Sequence, residues 1–452
     1  MGTAATTSPA VAGSATGLPA GPRWPMLGQT LAQMFVPTWM MDRCAARYGD
    51  TFTLTLPPGR TKYVFISDPE AVKALFSAAP EMVVSATSNL PPARVFGPAS
   101  LFTLNGPEHI RQRRLLLPPF HGERMRKYGD VIVEATRRDM ATWPLGRPMR
   151  MLERTRAITL EVILRAVFGV EGEQIGALRS AIERLFVSMS TGRLLLVGLS
   201  RAPAGPPKGA IGRAQRHLDE VIYAEIAHRR TQADLEERED ILSLLLQAHD
   251  EEGQPMTDGE LRDELVTLLL AGYETTAAAV AWAIERLTRH PHELARLVAE
   301  IAAGQGERYM LAVIHETLRV RPVVPVVIRV LREPMRVGDR ELPRGTGVGT
   351  SIYLTNRNPR TYEAPGEFRP ERFLDSQPET FSWIPFGGGI RRCIGASFAT
   401  HEMKSMLSTV LGELHPSLPR HGGRLFRTGE WNRRNALLLA PAGGARVVWS
   451  PR

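Results

Sequence analysis

The chain has 452 residues, of which 43% are hydrophobic and 23% charged, a balance typical of a folded globular protein. Its two cysteines, Cys44 and Cys393, are too few for a disulfide framework or a four-cysteine zinc site. The net charge is +9, but no basic run is interleaved with aromatic residues, so the sequence argues against a nucleic-acid partner.

The N-terminal stretch, MGTAATTSPAVAGSATGLPAGPR, is small, polar and interrupted by proline. It lacks the basic start and apolar core of a secretory signal peptide. No apolar run reaches 18 residues, because the best one, at 265–282, is interrupted by polar residues at 274–276. We therefore expect a disordered tail over 1–20, a single domain over 21–452, no membrane span and a cytoplasmic location.

After residue 20 the sequence alternates between helical and β-rich patterns. A first helix is predicted over about 30–50, and the β-formers TFTLTL and KYVFIS around a Pro-Pro-Gly turn predict a hairpin over 51–67. From about 107 to 300 the pattern is mostly helical, and a second β-rich region covers 326–352. The sequence thus predicts a mainly α protein with smaller β regions.

The longest helical pattern begins after Thr257 and ends at Pro291. Thr257 is a good N-cap, and Glu260 completes a capping box. A helix of about 33 residues is roughly 50 Å long and would cross a whole domain. In its middle, AGYETT has small residues that let a ligand approach the backbone. There the Thr275 hydroxyl can bond back to the Ala271 carbonyl.

The stretch FGGGIRRCIG places Cys393 in a loop rich in glycine and arginine, just before another helical pattern. A metal-binding cysteine must be a thiolate, which nearby arginines, backbone N–H groups and a helix N-terminus stabilise. Glycines allow tight turns and close packing against a planar ligand. The loop therefore predicts a metal-ligating Cys393, with a surface turn holding an incidental cysteine as the alternative.

Four motifs, in order along the chain, resemble those of the cytochromes P450. AGYETT resembles the oxygen-activating pattern, ETLR the ExxR motif, FRPERF the PERF-type motif, and FGGGIRRCIG the haem-binding loop FxxGxRxCxG. The resemblance covers roughly residues 25–450 and is to a bacterial subgroup with cyanobacterial and myxobacterial members. It implies the P450 fold, a helix-rich domain around haem plus a small β-rich domain.

The resemblance implies a haem b cofactor whose iron has the Cys393 thiolate as its axial ligand. The other haem-contacting residues that it implies are Phe386, Gly389, Arg391 and Gly395 in the loop, Ala271 and Gly272 in the long helix, and His109, Arg113 and Arg329 at the propionates. His109 and Arg113 also share one helical face, at i and i+4.

The ExxR motif has a physical reading of its own. Glu316 and Arg319 lie at i and i+3, so they share a helical face and can pair. The resemblance adds Arg372 and implies a buried triad that holds the segment leading to the cysteine loop, whereas the motif alone is equally compatible with a surface pair.

The activity implied is that of a monooxygenase, which inserts one atom of O2 into an apolar small molecule. By resemblance, the Thr275 hydroxyl supports proton delivery and Glu274 passes protons from solvent. The alternative for Thr275 is a buried threonine satisfied by its helix. The resemblance also implies a separate ferredoxin or flavodoxin with its reductase, docking near Arg111, Arg114 and Arg392. These arginines are expected to be exposed, with plain solubility charge as the alternative. A monomer is expected.

The pocket implied by the resemblance is mostly apolar. Its predicted walls are the segments 90–102, 186–199, 323–327 and 431–434 together with the helix around Leu270. Terpenoid, fatty acid, steroid and polyketide substrates all stay open. Two other functions also stay open: a peroxide-driven or isomerising haem-thiolate enzyme, against which the Glu274–Thr275 pair argues, and a non-catalytic carrier of haem or an apolar ligand.

Overall fold

The computed structural model describes residues 15–57, 61–86, 93–120, 124–169, 173–188, 207, 209–304, 306–374, 379–419, 430–435 and 438–452. The α-helices in these residues are α1 (Met26–Phe35), α2 (Pro37–Tyr48), α3 (Pro69–Phe76), α4 (Ala93–Phe96), α5 (Gly106–Leu116), α6 (Arg124–Met140), α7 (Met151–Phe168), α8 (Glu173–Ser188), α9 (Gly209–Arg230), α10 (Ile241–Gln247), α11 (Asp258–Arg289), α12 (Pro291–Ala303), α13 (Arg308–Val320), α14 (Ile352–Thr355) and α15 (Ala396–Glu413). Short 3-10 helices cover Pro118–Phe120, Leu235–Glu237, Pro370–Phe373 and Gly389–Arg391.

The strands lie mostly in the first and last thirds of the chain. They are β1 (Ala15–Thr16), β2 (Thr51–Leu56), β3 (Thr61–Ile66), β4 (Val83–Ser85), β5 (Pro148–Arg150), β6 (Val326–Leu331), β7 (Met335–Val337), β8 (Arg340–Leu342), β9 (Gly347–Ser351), β10 (Leu414–Ser417), β11 (Asn432–Asn435), β12 (Leu438–Pro441) and β13 (Arg446–Pro451).

The long helix α11 forms where the sequence predicts it. The Glu260 amide donates to the Thr257 hydroxyl at 3.2 Å, and the Thr257 amide donates to the Glu260 carboxylate at 2.8 Å, so the predicted capping box is confirmed. By length and composition α11 alone among the described helices is apolar enough to suit a bilayer span, yet it is mostly buried within the protein. It packs against α7, α13 and α15 and so forms the centre of the main hydrophobic core.

The largest sheet lies beside this helical core and has the strand order β2-β3-β9-β6-β4. Strands β2 and β3 pair antiparallel with Thr51 opposite Ile66, and β3 pairs parallel with β9. Strand β6 pairs antiparallel with β9 and with β4, which places Arg329 opposite Ser85. The sheet therefore positions one of the predicted cofactor-binding arginines.

The predicted disordered tail needs a correction. Residues 1–14 lie outside the described residues, but 15–20 are held by the sheets. Strand β1 pairs parallel with β8, and Thr53 donates its amide to the Ala20 carbonyl at 3.1 Å and its hydroxyl to the Pro19 carbonyl at 2.7 Å. The prediction of disorder is wrong for this part, because small polar residues can still be fixed through their backbone groups.

The predicted first helix is divided in two. Helix α1 ends at Phe35, and α2 begins with Pro37 at its first position. Proline has no backbone N–H and fits the first turn of a helix but not its interior, so a new helix starts there.

Candidate functional site

The cysteine loop packs closely against the end of α3 because two of its residues are glycines. A Cβ on Gly389 would lie 2.0 Å from the Phe76 carbonyl oxygen, and one on Gly388 would lie 2.4 Å from the Phe76 ring. Gly389 also has a φ of 65°, which glycine adopts without strain. The loop closes on itself because the Cys393 amide donates to the Phe386 carbonyl at 3.0 Å. Only a loop without side chains at these positions can pack so closely.

Cys393 lies three residues before the start of α15 and is accessible to solvent. The protein atoms packed around it partly desolvate the thiol and raise its pKa, while the Gly395 amide, Arg392 and Arg113 lower it. Since a metal binds the thiolate, a bound metal would displace this proton. The second cysteine, Cys44, is buried in an apolar cluster, and burial raises the pKa of that thiol to about 11. Of the two cysteines, only Cys393 is open to a ligand.

The middle of α11 has one opening. Between residues 261 and 285 every residue is buried except Ala271, Gly272 and Thr275. The Thr275 hydroxyl donates to the Ala271 carbonyl at 2.5 Å, which confirms the predicted bond back along the helix. Part of a core helix is therefore accessible at the residues that the oxygen-activating motif predicts.

A buried acid missed by the sequence analysis lies next to this opening. Glu402 on α15 is 1% exposed, and burial raises the pKa of its carboxyl to about 8, opposed by a hydrogen bond with Thr276. The acid therefore holds its proton at neutral pH. A glutamate within the otherwise apolar periodicity of ASFATHEMKSML was the available signal. The hydrogen bond between Glu402 and Thr276 therefore connects α11, beside its opening, to α15, the helix that begins three residues after Cys393.

Glu274 is held by an arginine that the sequence analysis did not identify. The Arg156 Nε on α7 donates to Glu274 Oε2 at 2.9 Å, and an Arg156 Nη donates to the other carboxylate oxygen. The Glu274 side chain is 4% exposed and that of Arg156 is 27% exposed. Glu274 thus meets solvent through Arg156 rather than directly. No motif marks Arg156, because it lies 118 positions away in the chain.

Helix α7 also bonds the backbone of α11 around the opening. The Thr159 hydroxyl donates to the Tyr273 carbonyl at 2.9 Å, and the Thr155 hydroxyl donates to the Ala277 carbonyl at 2.9 Å. These contacts and the Arg156–Glu274 pair hold the middle of α11 against α7. The opening is therefore held in place by α7.

Gly272 also has a packing role that the sequence did not indicate. A Cβ at this position would lie 2.8 Å from Ile163 Cδ1 of α7. The glycine lets the two helices approach each other, which is a common reason for a small residue inside a buried helix. Its predicted contact with the cofactor stays a prediction.

Replacing Gly272 with alanine should destabilise the protein by about 1–3 kcal/mol, since Ile163 is buried and must move to make room. The matched control is Gly259→Ala in the first turn of the same helix, where an added Cβ has only Thr257 Oγ1 nearby, at 4.0 Å. That control should be neutral or stabilising by up to about 1 kcal/mol. Urea unfolding midpoints of both holoproteins measure the difference, and equal midpoints would contradict the packing argument.

Four predicted propionate contacts come together in the structure. His109 and Arg113 on α5, Arg329 on β6 and Arg391 in the cysteine loop influence one another electrostatically. A cavity beside them is lined by His109, Arg329 and Arg391 together with Phe76, Gly106 and Gly388. Burial, then Arg391, Arg113 and Arg329, lower the pKa of His109 to about 3, so this histidine is neutral.

The three arginines of this cluster have no acidic partner in the part of the chain that the structure describes. Burial lowers the pKa of Arg329 and of Arg391 to about 10 in each case. The Arg391 side chain donates to the Leu101 and Leu104 carbonyls and to Asn105, and the Arg329 side chain donates to the adjacent Ile328 carbonyl. Among the described residues no carboxylate pairs with Arg113, Arg329 or Arg391. All three arginines are half-buried, and partly desolvated cations without anions are costly, so the residues present fit a ligand with two carboxylates, as haem has.

The predicted triad is assembled around Glu316. Arg319 donates to both of its carboxylate oxygens, at 2.6 and 2.8 Å, and Arg372 Nε lies 3.4 Å from Oε1. The Arg369 amide also donates to Glu316 at 2.7 Å. Arg319 further donates to the Asn356, Pro365 and Glu367 carbonyls. Glu316 and Arg319 are fully buried, so this network connects α13 to the segment that precedes the cysteine loop.

The expected exposure of Arg111 and Arg114 is only partly observed. Arg111 pairs with Asp250 and Glu260 at 2.6 Å each and is 30% exposed. Arg114 is exposed but pairs with Glu251. Their positive charge is thus neutralised by acids from the start of α11 and the loop before it. Arg392 is exposed and has no ion pair among the described residues.

The predicted pocket walls are only partly described. Residues 90–92 and 189–199 lie outside the described residues. Phe186 at the end of α8 packs edge-on against Tyr273 of α11, with ring centroids 4.8 Å apart. Val323 is buried, and Leu101 is half-buried. These three wall residues are apolar as predicted, whereas Trp431 is 65% exposed and residues 432–434 are polar.

Comparisons with known proteins identify the family. A family model described as "Cytochrome P450" matches residues 19–441. The chain belongs to the cytochrome P450 family. "Putative cytochrome P450 137" of Mycobacterium tuberculosis is 39% identical over 415 residues, which cover 91% of this chain and 85% of that protein. "Putative cytochrome P450 138" of Mycobacterium bovis is 38% identical over 441 residues, which cover 96% and 97%.

Solved P450 structures share the fold. The retinoic acid-bound cyanobacterial CYP120A1 superposes with a TM-score of 0.81 at 24% identity, covering 96% of this chain and 99% of that one. The haem domain of cytochrome P450DA superposes with a TM-score of 0.81 at 22% identity, covering 96% and 98%. The predicted P450 fold and the haem-thiolate cofactor are confirmed, and the general activity of this P450 is that of a haem-thiolate monooxygenase.

Proposed function

We propose that this P450 inserts one oxygen atom from O2 into an apolar small molecule of the terpenoid, fatty acid or steroid classes. A separate ferredoxin or flavodoxin, with its reductase, supplies the electrons. The observation that carries the proposal is the opening in α11, where Ala271 and Thr275 are accessible beside a buried acid. Haem, when bound, supplies the activation of oxygen and its transfer to the substrate.

The residues that hold the cofactor follow from the site. Cys393 would supply the thiolate that binds the haem iron, because its side chain is the accessible thiol and its loop is fixed by Gly388 and Gly389. Arg113, Arg329 and Arg391 bind the propionates, which provide the anions that these arginines lack in the described protein. His109 lies beside these arginines and adds a hydrogen-bonding group to the same site. Phe386, Ala271 and Gly395 complete the contact surface.

Proton delivery is assigned to Thr275 and Glu274. The Thr275 hydroxyl is half-buried at the opening, where rotation about its Cα–Cβ bond exchanges the Ala271 carbonyl for a partner in the site. Glu274 precedes it and is connected to the surface by Arg156. We assign the transfer from solvent to the Glu274 carboxylate and from there to the Thr275 hydroxyl. Arg156 acts as a positioning residue, because its two hydrogen bonds fix the position of the Glu274 carboxylate.

The redox partner is assigned to the face that carries Arg392. Arg392 and Arg113 both act on the Cys393 thiol, so they lie on the cysteine side of the site. Arg392 is exposed, and the protein has a net charge of +9, which favours an acidic partner. Arg111 and Arg114 contribute less than the sequence analysis assumed, because acids already neutralise them.

Spectral titration tests the substrate class. Fatty acids, sesquiterpenes and steroids are added separately to the purified holoprotein while the Soret band is recorded. A saturable shift toward high spin with one class supports it, and product analysis with a ferredoxin system then locates the oxidised carbon. Turnover that runs better on hydrogen peroxide than on a ferredoxin system would instead favour a peroxide-driven enzyme. No oxygen-dependent product with any donor would favour a carrier.

Thr275→Ala should uncouple electron consumption from product formation. The variant keeps the helix but loses the hydroxyl, so we expect product per electron pair to fall about tenfold or more and released hydrogen peroxide to rise. The matched control is Thr288→Ala on the same helix, whose hydroxyl makes the equivalent bond to the Ile284 carbonyl at 2.7 Å. Coupling is measured as product and peroxide per NADPH, and unchanged coupling in Thr275→Ala would remove the proton-delivery role.

A further inference from the structure

Exposed apolar side chains are concentrated at the start of the chain. Among the described residues, 14 large hydrophobic side chains are exposed, and seven of these lie between residues 18 and 39. An eighth, Trp431, lies beside β11, which packs against α1 and α2. We call these eight side chains the α1 face: Leu18, Trp24, Leu27, Leu31, Phe35, Val36, Trp39 and Trp431. Eight of the 14 exposed large hydrophobic side chains of the described residues therefore belong to the α1 face.

Helix α1 presents its apolar side outward. Leu27, Leu31 and Phe35 recur every four residues, so they share one helical face, and they are 51%, 37% and 62% exposed. The buried residues of the helix are instead Gln29, Thr30 and Gln33. A surface helix of a globular protein normally has the reverse arrangement.

The buried polar side of α1 is bonded to the rest of the protein at several atoms, although Gln33 Oε1 has no hydrogen-bond partner among the described residues. Gln29 donates to the Trp24 carbonyl at 2.8 Å and accepts from the Thr55 amide at 2.8 Å. Arg434 of β11 donates to the Gln33 carbonyl at 2.8 Å. These bonds fix the rotation of the helix, so the outward direction of its leucines and phenylalanine is built into the fold.

The rim of the α1 face is positively charged and aromatic. The Trp24 and Trp39 rings stack with centroids 6.1 Å apart, and the Arg43 guanidinium lies 5.5 Å from the Trp39 ring. Arg23, Arg43 and Arg47 are exposed. Residues 17–49 contain a single acid, Asp42, which accepts a hydrogen bond from Tyr353 at 3.0 Å. An apolar centre with tryptophans and arginines around it matches the boundary between lipid chains and anionic headgroups.

We propose that the α1 face docks this P450 onto the surface of an anionic lipid bilayer. Helix α1 lies along the bilayer plane with Leu27, Leu31 and Phe35 inserted among the acyl chains, and the arginines contact the headgroups. Association of two copies through this face is disfavoured, because it would bring the arginines of both copies together. The inference goes beyond the monooxygenase reaction and does not depend on its substrate.

Vesicle binding tests the inference with the complete holoprotein. The protein is sedimented with sucrose-loaded vesicles of phosphatidylcholine, alone or mixed with phosphatidylglycerol. We expect about tenfold stronger binding to the anionic vesicles at low salt, and high salt should reduce this binding to the level on neutral vesicles. Absence of binding to both kinds of vesicle would overturn the inference, whether or not the enzyme turns over a substrate.

Variants locate the binding surface. The double variant Leu31→Ser with Phe35→Ser should lower binding to both vesicles at least about tenfold, because it removes apolar area that enters the bilayer. Arg43→Gln with Arg47→Gln should remove the preference for anionic vesicles. The matched control, Leu145→Ser, changes a leucine that is 45% exposed outside the α1 face and should bind normally. Because all variants replace exposed side chains, we expect each of them to remain folded. The reduced carbon-monoxide spectrum of each holoprotein verifies this.

Two results would count against the bilayer. Unchanged binding by the Leu31→Ser/Phe35→Ser variant would show that another surface binds lipid. A dimer in light scattering that the same variant converts to monomers, with no vesicle binding by the parent protein, would assign the α1 face to contact between copies.

Discussion

Cys393→Ser should abolish the thiolate signature of the reduced carbon-monoxide spectrum and the oxygen-dependent formation of product. A serine hydroxyl is a far weaker donor than a thiolate, and electron donation from sulfur is what favours O–O cleavage in P450s. The loop itself should remain in place, because its geometry depends on Gly388, Gly389 and the Phe386 carbonyl rather than on sulfur. The measurements are the carbon-monoxide difference spectrum and product formation at equal haem content.

Cys44→Ala is the control for this experiment. Cys44 is 3% exposed among Met40, Met41 and Phe52, where alanine leaves only a small cavity. We expect a normal carbon-monoxide spectrum and a modest loss of stability of about 1 kcal/mol. A wild-type spectrum in Cys393→Ser would show that the axial ligand is not Cys393.

Glu316→Ala should prevent stable incorporation of haem. Removal of this carboxylate leaves Arg319 and Arg372 facing each other without an anion in a buried site, a change that typically costs about 3–5 kcal/mol. The Arg369 amide also loses its acceptor. Because these groups hold the chain that leads to the cysteine loop, we expect most of the protein to be recovered without haem. The ratio of haem to protein after purification measures the effect.

Two further variants test whether the effect of Glu316→Ala comes from loss of the buried negative charge or from loss of any carboxylate in this region. Glu367→Ala removes an exposed carboxylate from the same segment, where it pairs with Arg369, and should cost less than about 1 kcal/mol. Glu316→Gln keeps an acceptor for the Arg369 amide but not the charge, so its haem content should lie between those of wild type and Glu316→Ala. A normal haem content in Glu316→Ala would show that the network is dispensable for cofactor binding.

The two electrostatic clusters of the site differ in the balance of their charges. At the triad, Glu316 is enclosed by two arginines and a backbone amide, and each group has a partner within the protein. At the propionate cluster, three arginines surround a neutral histidine with no carboxylate among the described residues. The first cluster is therefore complete in the protein alone, whereas the second is completed by the carboxylates of its ligand.

Much of the local structure could be predicted from the sequence because it depends on residues close together in the chain. The capping box joins Thr257 to Glu260, and the hydroxyl bond joins Thr275 to Ala271, each within one helical turn. The glycines around Cys393 likewise indicated a loop that packs closely. Four motifs in order then indicated the family, which the comparisons confirm.

Contacts between distant segments were not predictable in this way. Arg229 is 2% exposed and bonds Asp240, Ser243 and the Phe168 carbonyl, which lie 11, 14 and 61 positions away in the chain. In each such case the sequence shows a charge but not the group that will face it. The partner depends on how whole helices pack, which is decided by the tertiary structure.

The sequence by itself therefore determined the family, the cofactor and the positions of the motifs, because short-range patterns encode them. Only the tertiary structure decided what surrounds those positions. It placed Arg156 on Glu274, filled the space at Gly272 with Ile163, and neutralised Arg111 with two acids. It also turned the apolar side of α1 outward, because Gln29 on the polar side of that helix is bonded within the protein to the Trp24 carbonyl and the Thr55 amide.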